Sequence, residues 1–282
     1  MNRQHKKTGK NANQLLRICL GIGMLCLASG PPAAQAMYQQ NFDSLVPGPL
    51  AGQDAWLVSP VGGQPTFQVA AGQGVGGTQA AYVHDTTTSF LTYRNVRALS
   101  ETIAPGLHMT LSAQFRATPG SQVAVGFSDP TAPGGNLIWA SIYDDVASSH
   151  ISAYYAEMAE QTHYQQAHVN VTSPGDLAAL SGWHSFLIDW LVGSSITYKI
   201  VRDSDSAVML SATLDDSPSQ SQRITNPQFF NGLQLYNLAD GGASGSSFRD
   251  VAVDNILVNI PEASTGVLLL GGLTLALRRR SS

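Results

Sequence analysis

Apolar and polar side chains alternate along much of the chain with a period of two, the spacing of a strand that buries one face. Leu107, Met109, Leu111, Ala113 and Phe115 interleave with His108, Thr110, Ser112, Gln114 and Arg116. Val123, Val125 and Phe127 resume the pattern after Pro119 and Gly120, and Ile138, Ala140 and Ile142 resume it after Pro133, Gly134 and Gly135. Turn residues at those points predict consecutive antiparallel strands joined as hairpins. The same reading gives strands over 66–70, 80–84, 90–96, 183–190, 195–202, 207–214, 232–238 and 248–258. Residues 153–168 mix helix formers with Tyr154, Tyr155 and Tyr164, which favour strands. A long hairpin bending at 160–162 is the expectation there, with a helix as the alternative. The Gly/Ser-rich stretches 72–77 and 240–247 read as surface loops. Many short strands at this spacing predict an all-β antiparallel sandwich.

Both ends break the alternation. Lys6, Lys7, Lys10 and Arg17 precede an apolar run from Ile18 to Ala28, which Gly30, Pro31 and Pro32 interrupt. Ala34 and Ala36 then supply a small-x-small pattern before Met37, the order of features in a secretory signal peptide cut by signal peptidase at Met37. The run of about 11 residues is too short to span a bilayer. At the other end Pro261, Glu262, Ala263, Ser264 and Thr265 lead into an apolar stretch from Gly266 to Leu277, closed by Arg278, Arg279 and Arg280. Twelve residues at about 1.5 Å of rise span roughly 18 Å, against the ~30 Å hydrocarbon core of a bilayer. This predicts a short hydrophobic helix held in the membrane transiently, its arginines on the cytoplasmic side. An ordinary short tail anchor or a buried apolar helix is the alternative.

The tail resembles the PEP-CTERM sorting signal of exported proteins of Gram-negative bacteria, with Ala263 standing where that family has its second proline. The resemblance implies processing by an exosortase-type protease and delivery to the cell envelope or an exopolysaccharide matrix. The chain divides accordingly into a signal peptide (1–36), a β-sandwich domain (37–260) and a sorting tail (261–282).

Composition sharpens this once the ends are set aside. Both cysteines, Cys19 and Cys26, fall in the leader, so the domain has neither a disulfide nor a thiolate metal site. Ile18 and Leu25 precede them, where a lipid-attachment cysteine would follow a small residue. Between residues 37 and 260 seven Lys/Arg (Arg94, Arg97, Arg116, Lys199, Arg202, Arg223 and Arg249) face 18 Asp/Glu, a net charge of −11. The whole-chain value of −4 conceals this, because the other basic residues lie in the two terminal signals. Such a domain excludes nucleic acid as a partner, since phosphate binding needs a basic face.

Asn41, Phe42, Asp43, Ser44 and Leu45, followed by Gly48, Leu50, Gly52, Gln53 and Trp56, resemble the opening strand of bacterial concanavalin A-like, laminin-G-like domains. Gly182 to Phe186 with Ile188, Asp189 and Trp190, then Ile196 to Val201, resemble its paired strands, and Val253, Asp254, Asn255, Ile256 and Val258 its closing strand. The resemblance implies a two-sheet antiparallel jelly-roll sandwich whose termini pair. Asp43 would then lie near Asp254 and Asn255, an oxygen-only set suited to a structural calcium ion. The alternative is that these carboxylates hydrogen-bond turn backbone.

Catalytic motifs are harder to find. Glycan hydrolases of that fold carry a Glu-x-Asp-x-x-Glu element, and the chain has none. Its domain holds three glutamates, Glu101, Glu157 and Glu160, and the last two point to opposite faces of a strand, sharing a face only if the segment is helical, whereas glycoside hydrolysis needs two carboxyls on one face. Asp144 and Asp145 diverge for the same reason. The spacing of Gly242, Ser244 and Gly245 does not make a nucleophile elbow, and His163 and His168 lack a third metal ligand nearby. With Ile138, Ala140 and Ile142 in the core, Trp139, Ser141 and Tyr143 occupy the opposite face, where rings could stack on sugars; the alternative is that a loop or the other sheet covers this face and makes Trp139 a core residue. His108, Gln114, Arg116, Gln234 and Tyr236 join that face if their strands are neighbours, and Trp190 belongs to the core. The sequence therefore leads us to expect no catalytic residues and a non-enzymatic exported envelope or matrix protein associated with glycan or exopolysaccharide. Two alternatives stand beside it: a glycan-active hydrolase or lyase on this fold, and a purely structural surface protein.

Overall fold

Residues 35–58, 66–85, 91–118, 121–131, 136–144, 149–157, 163–172, 176, 180–221, 223–239 and 249–260 are described by the computed structural model. In chain order their strands are β1 (Gln35–Gln40), β2 (Gly48–Pro49), β3 (Leu57–Val58), β4 (Gln68–Ala70), β5 (Ala80–Asp85), β6 (Leu91–Ala98), β7 (His108–Ala117) and β8 (Ser121–Ser128). Then follow β9 (Asn136–Asp144), β10 (His150–Glu157), β11 (His163–Asn170), β12 (His184–Leu191), β13 (Ser195–Arg202), β14 (Ala207–Asp215), β15 (Gly232–Ala239) and β16 (Arg249–Ile260). They form a two-sheet antiparallel sandwich, as the alternation requires. The first sheet runs β14-β13-β12-β7-β16-β5-β4-β2, with β1 paired to β16, and the second runs β11-β10-β9-β8-β15-β6-β3.

Period-two burial decides which side chains meet between the sheets. Every second residue of β7 is buried, and β12 buries His184, Phe186, Ile188 and Trp190 in the same rhythm. Trp190 sits at the centre, 5.9 Å from the Phe127 ring and 5.7 Å from that of Phe230. Burying a side chain of this size contributes about 1.5–3 kcal/mol each, so the packed rings of both sheets carry the domain without a disulfide. The indole still has a polar atom to satisfy. Its Nε1 donates to Asp216 Oδ2 at 3.0 Å, and that carboxylate also accepts from Gly193 N and Ile224 N.

The hairpin expected between β7 and β8 is not formed. β7 pairs with β12 and β16 in the first sheet, and β8 pairs with β9 and β15 in the second, so the chain crosses the sandwich at 118–121. Alternation says which face of a strand is apolar, and both strands turn that face inward from opposite sides. The β8–β9 hairpin does form. In the segment 153–168 the strand-forming tyrosines prevail over helix propensity: β10 and β11 pair residue for residue from His150↔Asn170 to Glu157↔His163.

β16, the last described strand, pairs with the first. One edge pairs with β7, while the other pairs first with β5 and then with β1. Between Asp254 and Leu257 its register against β7 shifts, and Asn255 takes a φ of 53°. This bulge returns Ile256 and Val258 to the core face that Val251 and Val253 occupy. Ala36 pairs with Asn259 on the second rung, after Gln35 with Ile260, and Met37 packs against the core from within β1. Ala34, Pro261, Glu262, Arg278, Arg279 and Arg280 lie outside the described residues, so the signal and tail elements are not placed. Among the described residues no helix is long and apolar enough to cross a membrane.

Candidate functional site

The outward face of the second sheet carries Trp139, Tyr143, Tyr154 and Tyr236, aromatic residues that the core leaves over. In β9 the inward turn of Ile138, Ala140 and Ile142 sends Trp139, Ser141 and Tyr143 outward. Pairing then aligns Tyr154 with Trp139, Ser152 with Ser141 and His150 with Tyr143. On the other side β8 contributes Gly126 opposite Trp139 and Ala124 opposite Ser141. Beyond it β15 places Gln234 and Tyr236, and β6 places Arg94 opposite Tyr236.

Small residues on β8 let side chains meet across it. A Cβ at position 126 would collide with the Ile138 carbonyl and the Trp139 backbone, so glycine is required by close approach. Over this low floor the Trp139 and Tyr236 rings come within 5.2 Å although their strands are not neighbours. Tyr154 lies 5.0 Å from Trp139 on one side, and Arg94 stands 5.1 Å over the Tyr236 ring on the other. The result is a strip of three rings and a guanidinium running across β10, β9, β15 and β6. Trp139, Tyr154, Tyr236 and Arg94 are each partly exposed. Burial pushes the Tyr236 phenol above its ordinary value, against the opposing pull of Arg94, so it stays a neutral hydrogen-bonding group.

A second cluster flanks the strip. Tyr143 lies 4.9 Å from His150, which meets His168 edge-on at 6.4 Å. Between the clusters the buried hydroxyls of Ser141 and Ser152 hydrogen-bond each other at 2.7 Å, a shallow polar step.

Several expected residues lie elsewhere. His108, Gln114 and Arg116 belong to β7 and so face outward from the first sheet, not beside Gln234 and Tyr236. There His108 Nε2 meets Asp189 Oδ1 at 2.6 Å, and Arg116 lies 5.3 Å over the Trp183 ring. Glu157 ends β10 with its side chain inward and buried, accepting from Thr225 N, Thr225 Oγ1 and Asn226 N at 2.7–2.8 Å. Glu160 and Asp145 lie outside the described residues.

Asp43 and Asp254 do approach one another, from the opening and closing ends of the domain. Asp43 Oδ1 accepts from Gln79 N at 2.9 Å, and Asp254 Oδ2 accepts from Val75 N at 3.0 Å and Thr78 Oγ1 at 3.2 Å. Both therefore fasten the turn 74–79. Asn255 Nδ2 donates to Gln114 Oε1 at 2.7 Å. Burial raises the Asp254 pKa, and the hydrogen bonds from the turn oppose that rise. Among the described residues no group of three or more His, Cys, Asp or Glu is arranged to hold a metal ion.

Tyr154, Arg94 and Gly126 were not singled out by sequence reasoning. Tyr154 has the right phase on its strand, but its meeting with Trp139 depends on the β9–β10 register, which no turn motif at 145–149 announces.

No protein-family model and no curated protein matches the sequence. Solved structures match it in fold. The apo Crh5 transglycosylase is 15% identical, covering 84% of this chain and 89% of its own, with a TM-score of 0.51. SCLam, a non-specific endo-β-1,3(4)-glucanase of family GH16, is 12% identical over 83% of this chain and 94% of its own, with a TM-score of 0.50. An endo-acting O-glycanase expressed by members of the human gut microbiota is 10% identical over 81% of this chain and 100% of its own, with a TM-score of 0.52. What these share with the chain is the sandwich. They also correct the expectation of a non-enzymatic envelope or matrix protein. That expectation rested on a missing carboxylate motif, and the proteins matched here are glycan-cleaving or glycan-transferring enzymes.

Proposed function

We propose that this protein is a glycan-active enzyme, of the hydrolase or lyase class, which binds its polysaccharide along the ring strip of the second sheet. The observation that carries this reading is the unbroken contact from Tyr154 through Trp139 and Tyr236 to Arg94. Partly exposed indole and phenol rings offer flat apolar area for a sugar face, and the hydroxyl, amide and guanidinium groups beside them offer hydrogen bonds to its edge. The glycan enzymes that share the fold support the class of substrate.

Export belongs to the same reading. The basic, apolar and small-x-small segments before Met37 support secretion, and the Pro261–Arg280 tail supports sorting by an exosortase-type protease to the envelope of a Gram-negative cell. A polysaccharide substrate outside the cytoplasm accords with that location.

The test is incubation of the purified protein with a panel of neutral and acidic polysaccharides, reading both binding and new chain ends. We expect binding to at least one polymer, lost on Trp139→Ala while the far-ultraviolet circular dichroism spectrum stays that of the parent. Chain-end release from the same polymer supports the enzyme class. Binding without any cleavage across the panel would remove it, and unchanged binding by Trp139→Ala would remove the strip as the site.

A further inference from the structure

The domain between residues 37 and 260 is strongly acidic, yet its charges are unevenly placed. On the outward face of the second sheet the described strand positions hold Arg94, His150 and His168 and no Asp or Glu. At those strand positions an anion meets a guanidinium and two imidazoles and no carboxylate side chain.

Gln234 supplies a second, independent observation. Its side chain lies on the same face and is 1% exposed, and neither amide atom has a hydrogen-bond partner. The residues opposite it, Val96 and Gly126, offer no side-chain donor or acceptor. A buried amide left unpaired is costly unless an arriving group satisfies it. Arg94 is its diagonal neighbour on the adjacent strand, a spacing that long side chains bridge. The two residues together present an amide NH2 and a planar guanidinium fork, donors suited to a carboxylate.

We infer that the face recognises an acidic glycan, a polymer bearing uronate carboxylates, with the carboxylate held by Gln234 and Arg94 and the sugar ring stacked on the Trp139–Tyr236 pair. This rests on the reading of the strip as a glycan site and narrows it to one substrate class. Arg94 also keeps its contact with Tyr236, so the carboxylate adds to the existing strip and does not replace part of it.

The experiment compares polygalacturonate with the same polymer after its carboxyls are reduced to alcohols, using the full chain and isothermal titration. Reduction is expected to weaken binding about tenfold or more, the size of one lost hydrogen bond to a charged group. Gln234→Leu, close in shape, is expected to shrink that difference, weakening the acidic polymer's binding more than the reduced polymer's. Arg94→Gln is expected to do the same. Equal binding of the two polymers would overturn the acidic-glycan inference and leave the glycan site standing. Binding of dextran sulfate as tight as that of polygalacturonate and insensitive to Gln234→Leu would overturn it as well, as attraction to charge alone. Absence of binding to every polymer, neutral ones included, would instead remove the glycan site on which the inference rests.

Discussion

Trp139 and Tyr236 belong to strands separated by β8, and their rings nevertheless lie 5.2 Å apart because β8 presents Gly126 and Ala124 beneath them. The ring contact is thus made by what a middle strand lacks. Gly126→Ala is expected to lower stability by about 1–3 kcal/mol, the usual cost of overpacking a filled site, and to shift tryptophan fluorescence as the indole is displaced. Urea denaturation followed by fluorescence measures both.

Asp216 is a structural carboxylate at the heart of the core. It accepts from Trp190 Nε1, Gly193 N and Ile224 N, and burial raises its pKa despite those donors, with nearby Glu157 adding to the rise. Asp216→Ala leaves three donors without their acceptor, each unsatisfied buried group costing roughly 1–3 kcal/mol. The expected result is a loss of several kcal/mol by chemical denaturation, enough to threaten folding at 37 °C.

His184 gives the fold a dependence on acid. Its ring is buried beside Phe115, and burial is the main cause of a pKa below the ordinary 6.5. Nδ1 meets the Gly182 carbonyl and must donate to it, while Nε2 has no partner. A histidine whose folded pKa is lowered contributes its stability in full above about 6.5, and that contribution is lost as pH falls below it. His184→Phe should therefore lose less stability than the parent between pH 7.5 and pH 5, measured as the change in melting temperature. Identical pH slopes for the two proteins would contradict the assignment.

Glu157 is a catalytic candidate that its surroundings redirect. Three donors from Thr225 and Asn226 hold its buried carboxylate, so it anchors the loop after β14 to the end of β10. Glu157→Gln replaces one acceptor oxygen with a donor against that loop and is expected to cost about 1–3 kcal/mol of stability. Its affinity for glycan should remain that of the parent, which titration calorimetry would verify.

Asp43 and Asp254 fasten the turn 74–79 through hydrogen bonds from Gln79, Val75 and Thr78. Donors from the turn thus already meet one oxygen of each acid. Treatment with a chelator is accordingly expected to leave the melting temperature unchanged, whereas Asp254→Ala lowers it. A fall on adding the chelator, restored by calcium, would assign the pair to an ion.

Much of the fold was legible because the alternation is clean: β7, β9, β12 and β13 follow the sequence pattern almost residue for residue. What alternation does not carry is the sheet to which a strand belongs. Pro119 and Gly120 look like a hairpin turn whether the chain folds back in one sheet or crosses to the other, and here it crosses. The site was partly legible for the same reason. Trp139, Tyr143 and Tyr236 follow from phase alone, while Tyr154 and Arg94 depend on registers between strands far apart in sequence. The bulge at Asn255 was hidden too, because an inserted residue is visible only against its partner strand.

The placement of β16 bears on how the molecule comes into being. β1, β5 and β7 all lean on one late segment, residues 249–260, and its rungs with β1 link positions as remote as Gln35 and Ile260. A chain emerging from its N-terminus cannot close the first sheet until almost all of it is present, and contacts of such long range fold slowly. During synthesis the polypeptide would remain loose and threadable, and shortening it by even this single strand should yield an aggregating product with bare sheet edges, not a smaller working domain.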